Sequence, residues 1–152
     1  MSTGKAVDSE NDDPTTEQVE IEFLMVADWA ETINGKLYVQ GAGWDRKLNP
    51  PKERPNTDFA IAAGFLVPWH LTNQRHQFSL ALLTGDGGEI GPPITGAFNM
   101  GRPAKALPGQ KFRTAIAARI SVKLPGLGAY DVKLVVNNNI ARVTTFYVVE
   151  QL

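Results

Sequence analysis

Two histidines, His70 and His76, are the side chains best suited to acid–base or metal chemistry, and they stand six positions apart with Asp86 and Glu89 further along. A metal site needs at least a third ligand converging on the two imidazoles, and nothing in the spacing fixes that convergence. The set His70, His76 and Asp86 defines one functional expectation, a small-ligand or metal-dependent enzyme. The competing reading of a histidine that follows Val67-Pro68-Trp69 is a loop residue bonded to backbone, and it is the one we favour. We therefore expect no resident cofactor or metal and no catalytic residue.

Other chemistries find less support. Ser79 and Ser121 lie inside alternating strand patterns, without the flanking glycines of a nucleophile elbow. The carboxylate pairs Asp28/Glu31 and Asp86/Glu89 occupy hairpin and turn positions, where solvated acids are ordinary. The run Gly85-Asp86-Gly87-Gly88-Glu89-Ile90-Gly91 has the glycines of a phosphate loop but neither the Lys-Ser/Thr nor a following helix, so it reads as a turn. The chain has no cysteine, which removes thiol nucleophiles, zinc–thiolate sites and disulfides together.

Two basic groups, Arg46, Lys47, Lys52, Arg54 and Arg102, Lys105, Lys111, Arg113, could track phosphates with Trp44 available for stacking. Against this, residues 1–20 carry six acids and one lysine, leaving ten acids and fourteen bases in the body, a surplus of only +4. Nucleic acid is accordingly disfavoured. Trp44, Trp69 and His70, at strand ends beside proline-rich loops, are better placed as contacts to a partner protein, although tryptophan in a sandwich is as often core.

The elements that must carry these residues follow from the hydrophobic pattern. With 152 residues and 43% hydrophobic content, the chain can build one core without metal or disulfide support. Residues 1–17 are acidic and polar, too poor in apolar surface to offset ordering entropy, so we expect a disordered tail followed by a single domain over 18–152. The N-terminus lacks the apolar stretch of a secretory signal and no run reaches the length of a membrane span, so a soluble protein of the cytoplasm or a virion is expected, with no membrane partner.

Val19, Ile21 and Phe23 alternate with Glu20 and Glu22, and Asn34-Gly35 supplies a tight turn, predicting paired strands over 19–32 and 36–44. In that register Ile33 faces Lys36, Glu31 faces Tyr38 and Trp29 faces Gln40. Residues 45–57, with three prolines, predict an irregular surface loop. A continuous apolar run over 59–67 predicts a buried strand closed by Pro68, and 76–84 a strand with Phe78, Leu80 and Leu82 on one face. A short strand is expected over 94–98, a long one over 112–124, and two more around Tyr130 to Val136 and Val143 to Val149.

This is an all-β chain. Its ending, a strand followed by Leu124-Pro-Gly-Leu-Gly-Ala-Tyr130, another strand, an Asn-rich turn and a last strand, matches the close of an immunoglobulin-like antiparallel β-sandwich of seven to eight strands. In that fold a tyrosine hydroxyl returns to backbone just upstream. The cysteines and strand-C tryptophan of antibody domains are absent.

The segment from Ala27-Asp28-Trp29 through Asn34-Gly35-Lys36-Leu37-Tyr38 to Gly43-Trp44-Asp45, with Val67-Pro68-Trp69 and the Pro-Gly-x-Gly-x-Tyr ending, resembles a group of small uncharacterised bacterial proteins over roughly residues 20–150. That resemblance implies a shared fold and no transferable catalytic residue. The expectation is then a non-enzymatic structural or interaction protein, whose partner is another protein or a second copy in a larger assembly. Fold analogy extends such settings to a virion shell.

Overall fold

In the computed structural model the described residues are 17–150; the expected acidic tail, apart from Glu17, lies outside them. Nine strands form two sheets: β1 (Glu20–Ile33), β2 (Lys36–Ala42), β4 (Thr57–Pro68) and β7 (Lys111–Val122) in the order β2-β1-β4-β7, and β3 (Arg46–Leu48), β9 (Ile140–Val149), β8 (Gly128–Val136), β5 (Arg75–Thr84) and β6 (Ile94–Asn99) in the order β3-β9-β8-β5-β6. No helix among the described residues is long and apolar enough to cross a membrane.

The β1–β2 hairpin has the register its turn dictates: Ile33 opposite Lys36, Glu31 opposite Tyr38, Trp29 opposite Gln40. Asn34 and Gly35 both take positive φ, 50° and 76°, as a type I′ turn requires. The second strand stops at Ala42, two residues short of expectation, because Gly43 turns the chain at φ 91°.

Two further stretches differ from expectation. The proline-rich stretch expected to be irregular contains β3, which runs parallel to β9 with Arg46 opposite Tyr147 and Leu48 opposite Val149. A three-residue strand is too short to show a period, and Pro50 and Pro51 follow one residue after its end. Among the described residues the sandwich thus has nine strands, not seven or eight, and one parallel pair. The last strand begins at Ile140, directly after Asn137 and Asn138 turn the chain in left-handed geometry.

Strands β1, β4 and β7 take the places of A, B and E of an immunoglobulin-like fold, and β5, β8 and β9 those of C, F and G. β6 extends the second sheet beyond β5. Among the described residues no strand lies beyond β7, where D stands in constant-type domains. Phe59, Ile61, Ala63, Phe65 and Val67 of β4 meet Tyr130, Val132, Leu134 and Val136 of β8 and Phe146 and Val148 of β9 in the core.

The corner before β8 is closed as expected, with the Tyr130 hydroxyl donating to the Gly126 carbonyl at 2.6 Å and accepting from its N–H at 3.1 Å. Val132 occupies the place of the second cysteine of antibody domains, two residues after the tyrosine, and is fully buried. The opposite face of β4 is also covered. Ala60 and Ala62 lie beneath Met25, Leu37, Val39 and Ala117, so the hairpin forms a thin second apolar layer over the first sheet. Gly64 lies under the Phe23 ring, a close approach that leaves no room for a side chain.

Candidate interaction surface

The apolar run of β4 ends at Pro68, and the chain turns through a single 3-10 turn, Trp69–Leu71, into β5. Thr72 secures that turn: its hydroxyl donates to the Trp69 carbonyl at 2.6 Å, and its N–H reaches the same oxygen at 3.3 Å. Asn73, at φ 60°, reverses the chain; its N–H donates to the Met100 carbonyl at 2.7 Å, and its Oδ1 accepts from the Arg102 N–H at 3.1 Å. Loop 69–74 is thereby tied to the loop that follows β6.

Arg102 completes the connection. Its Nε donates to Thr72 Oγ1 at 2.8 Å and its Nη2 to the Trp69 carbonyl at 3.1 Å, while Cζ lies 3.7 Å from the centre of the Trp69 ring. A planar guanidinium can stack and donate in fixed directions at once, which an ammonium cannot. On the other side the Trp69 N–H donates to the Gln110 carbonyl at 2.9 Å.

The β8–β9 turn joins the same end of the sandwich through His76. The Leu71 carbonyl, 2.8 Å from His76 Nε2, can only accept, so that nitrogen carries the proton. Nδ1 then accepts from the Asn137 side-chain amide at 3.1 Å. The amide's orientation is set from the far side, because Asn137 Oδ1 accepts from the Gln77 N–H at 3.0 Å and the Asn137 N–H donates to the Gln77 carbonyl at 2.9 Å. His76 is 3% exposed and both ring nitrogens are occupied.

Beside the first two of these loops a small, largely apolar depression of about 180 Å³ is lined by Glu17, Pro68, Trp69, His70, Pro108, Gly109 and Gln110. Trp69 and His70 are half-buried at its wall, and the His70 ring has no hydrogen-bond partner among the described residues. The Trp69 indole N–H is shielded from water without an acceptor among them. The loops after β4 and β6 meet here, and the loop after β8 is tied to the first of them through His76; this is the end of the sandwich where variable domains carry their recognition loops.

The other residues singled out from the sequence lie elsewhere. Trp44 stands at the far end of β4, packed edge-on against Phe59 at 6.4 Å and Phe146 at 5.9 Å, with Lys47 Nζ 5.4 Å from its ring. At about 3.3 Å per residue, the length of β4 separates it from Trp69 by roughly 30 Å. Asp86 is likewise remote from His76, at the other end of β5, where it accepts from the Thr84 hydroxyl and the Gly88 N–H. Those two bonds, the hydroxyl first, hold its carboxyl below the ordinary value of 3.8.

The structure therefore does not bring His70, His76 and Asp86 together, and no group of three or more metal-ligating side chains occurs among the described residues. The two basic groups do not merge either. Arg46 and Lys47 sit near Trp44, whereas Lys111 pairs with Glu20 at 2.9 Å and Glu17 at 3.5 Å, and Arg113 with Glu22 at 3.1 Å. Arg102 is committed to Trp69. Sequence reasoning missed the Arg102 clamp on Trp69 and the Asn137 tie to His76, because they act across 33 and 61 residues and leave no local pattern.

Residues 22–149 match the model of a family described as a family of unknown function, DUF6941. No curated protein matches the chain.

Proposed function

The chain belongs to the family of unknown function DUF6941, and from that premise we propose that it is a non-enzymatic interaction protein whose Trp69–His70 end docks another protein in a larger assembly. The observation that carries this reading is the fixed placement of Trp69. One face is capped by the Arg102 guanidinium, its backbone is bonded to three other residues, and its wall of the depression is apolar.

Binding hot spots are enriched in tryptophan and arginine, and a side chain held in place before contact loses little entropy when contact is made. A half-buried Trp69 beside two prolines supplies that anchor. His70, with an unengaged ring at the rim, supplies a polar group able to donate or accept. Trp44, packed on Phe59 and Phe146, contributes to the rigidity of the opposite end instead. A virion shell is one assembly that such a sandwich suits, by fold analogy alone.

The test is native mass spectrometry of the protein isolated from its source as wild type, Trp69→Ala and Trp69→Phe. The reading predicts a complex above the monomer mass that Trp69→Ala dissociates and Trp69→Phe largely keeps, with all three variants folded. A complex that persists unchanged in Trp69→Ala, or a monomer under all conditions, overturns it.

A further inference from the structure

β7 is the outermost strand of its sheet. β4 pairs with it along its whole length, from Thr57 opposite Val122 to Pro68 opposite Lys111, and no strand among the described residues pairs its other side. Every second residue of an antiparallel strand turns its N–H and C=O away from a given neighbour. β7 thus offers, over 12 residues, a ladder of backbone groups outside the sheet's own pairing, which water can satisfy and which a further extended chain can pair.

Such edges are normally kept short or interrupted by proline, a bulge or an inward-pointing charge. Apart from the outward charges of Lys111, Arg113 and Arg119, β7 has none of these: it contains no proline, its pairing with β4 has no register shift, and its inward-facing side chains, Phe112, Thr114, Ile116, Ala118, Ile120 and Val122, are uncharged. Beside it the sandwich is open. A cleft of about 270 Å³ between β7 and the second sheet is lined by Ile61, Leu80, Leu82, Ile90, Ile94 and Ile120, with Ile94 at 39% exposure on its rim. This is the side on which a D strand would close the fold.

Charge selects among possible occupants. The outward residues at the cleft end of β7 and just beyond it include Arg119 and Lys123, and neither has a carboxylate partner among the described residues; Arg119 instead lies 3.8 Å over the Trp29 ring. A second copy paired here would add its own cations to these, and like charges on neighbouring strands are destabilising. An acidic strand would be attracted.

We propose that the free edge of β7 takes an extended acidic–apolar segment of a partner protein as a tenth strand, its apolar side chains filling the cleft and its carboxylates beside Arg119 and Lys123. This is recognition by strand addition, in which the backbone ladder gives affinity and alternate side chains give selectivity. It rests on the contact reading only in that the partner is a protein, and it uses a surface separate from Trp69.

The test uses the full chain and a synthetic probe, acetyl-Glu-Val-Glu-Ile-Glu-Val-Glu-Ile-amide, with titration calorimetry and amide exchange. The probe should bind and slow exchange at alternate amides of β7. Replacing its glutamates by lysines, or methylating its backbone nitrogens, should abolish binding. Arg119→Glu and Ile94→Glu, both at exposed positions, should each weaken it roughly fivefold or more, and Trp69→Ala should leave it unchanged. Equal binding of the lysine probe, protection located away from β7, or dimerisation of the chain through β7 would overturn the proposal. If the probe fails while the native complex still depends on Trp69, this inference falls and the contact reading stands.

Discussion

Replacing Arg102 by alanine should loosen the Trp69 end without unfolding the sandwich. The side chain contributes one stacking contact on Trp69, at 3.7 Å, and two hydrogen bonds, to Thr72 Oγ1 and the Trp69 carbonyl. An exposed cation–π contact is worth about 0.5–1 kcal/mol and each hydrogen bond about 1 kcal/mol net, so roughly 2–3 kcal/mol is lost. Thr72, 2% exposed, keeps its own bond to the Trp69 carbonyl, so no buried orphan is created. The Arg102 N–H likewise still reaches Asn73.

The loss should register as local opening, because core strands open only with the whole fold. Exchange of the Thr72 and Asn73 amides, the hydrogen-bonded N–H groups within 70–73, should accelerate about 30- to 140-fold, following from about 2–3 kcal/mol at 1.4 kcal/mol per tenfold. The amides of Ala62 and Ala63, at the centre of β4, should be little affected. Arg102→Lys should recover only part of the loss, since an ammonium keeps the charge but not the planar fork. Unchanged exchange across 70–73, or equal acceleration in β4, would refute the reasoning.

Tyr130→Phe removes both bonds to Gly126 and should cost about 1–3 kcal/mol in a denaturant melt; because Gly126 is exposed, water can take up part of the loss. Gly64→Val puts a branched side chain where the Phe23 ring lies and should destabilise by about 1–3 kcal/mol, while Phe23→Ala in the same chain should relieve part of that cost. Asp86 has a lowered pKa, so its contribution is full above 3.8 and is lost as pH falls through the lower folded value; Asp86→Asn should flatten that acid limb of a stability–pH curve. Lys111 is shifted the other way, chiefly by its bond to Glu20, so its contribution is present below 10.5 and is lost as pH rises through the raised folded value. Lys111→Met should remove that alkaline loss.

How much of this could be read from the sequence depends on how local the cause is. The hairpin register follows from two adjacent residues, Asn34 and Gly35, and the closed corner from Tyr130 and its glycine-rich approach, so both were legible. The apolar run of β4 announced burial on both faces, but alanine gives no sign of what covers it, and the layer formed by Leu37 and Val39 over Ala60 and Ala62 was not foreseen. β3 escaped because its pairing with β9 spans a hundred residues and involves only three positions. Trp69 and His70 were picked out by type and by the neighbouring proline, whereas the residues that hold them, Arg102, Thr72, His76 and Asn137, are assembled only by the fold. His76, grouped by chemistry with His70 and Asp86, is instead a buried tie between two loops.

Where a partner touches the chain is what most directly decides the role of the Trp69 end. Amide exchange of the purified native complex, compared residue by residue with the free protein, should show slowed exchange at 69–74, 100–110 and 137–139, the three loops at the Trp69 end of the sandwich. Slowing confined to the Trp44 end, or to the outer face of β8 and β9, would contradict the assignment of this end as the docking surface.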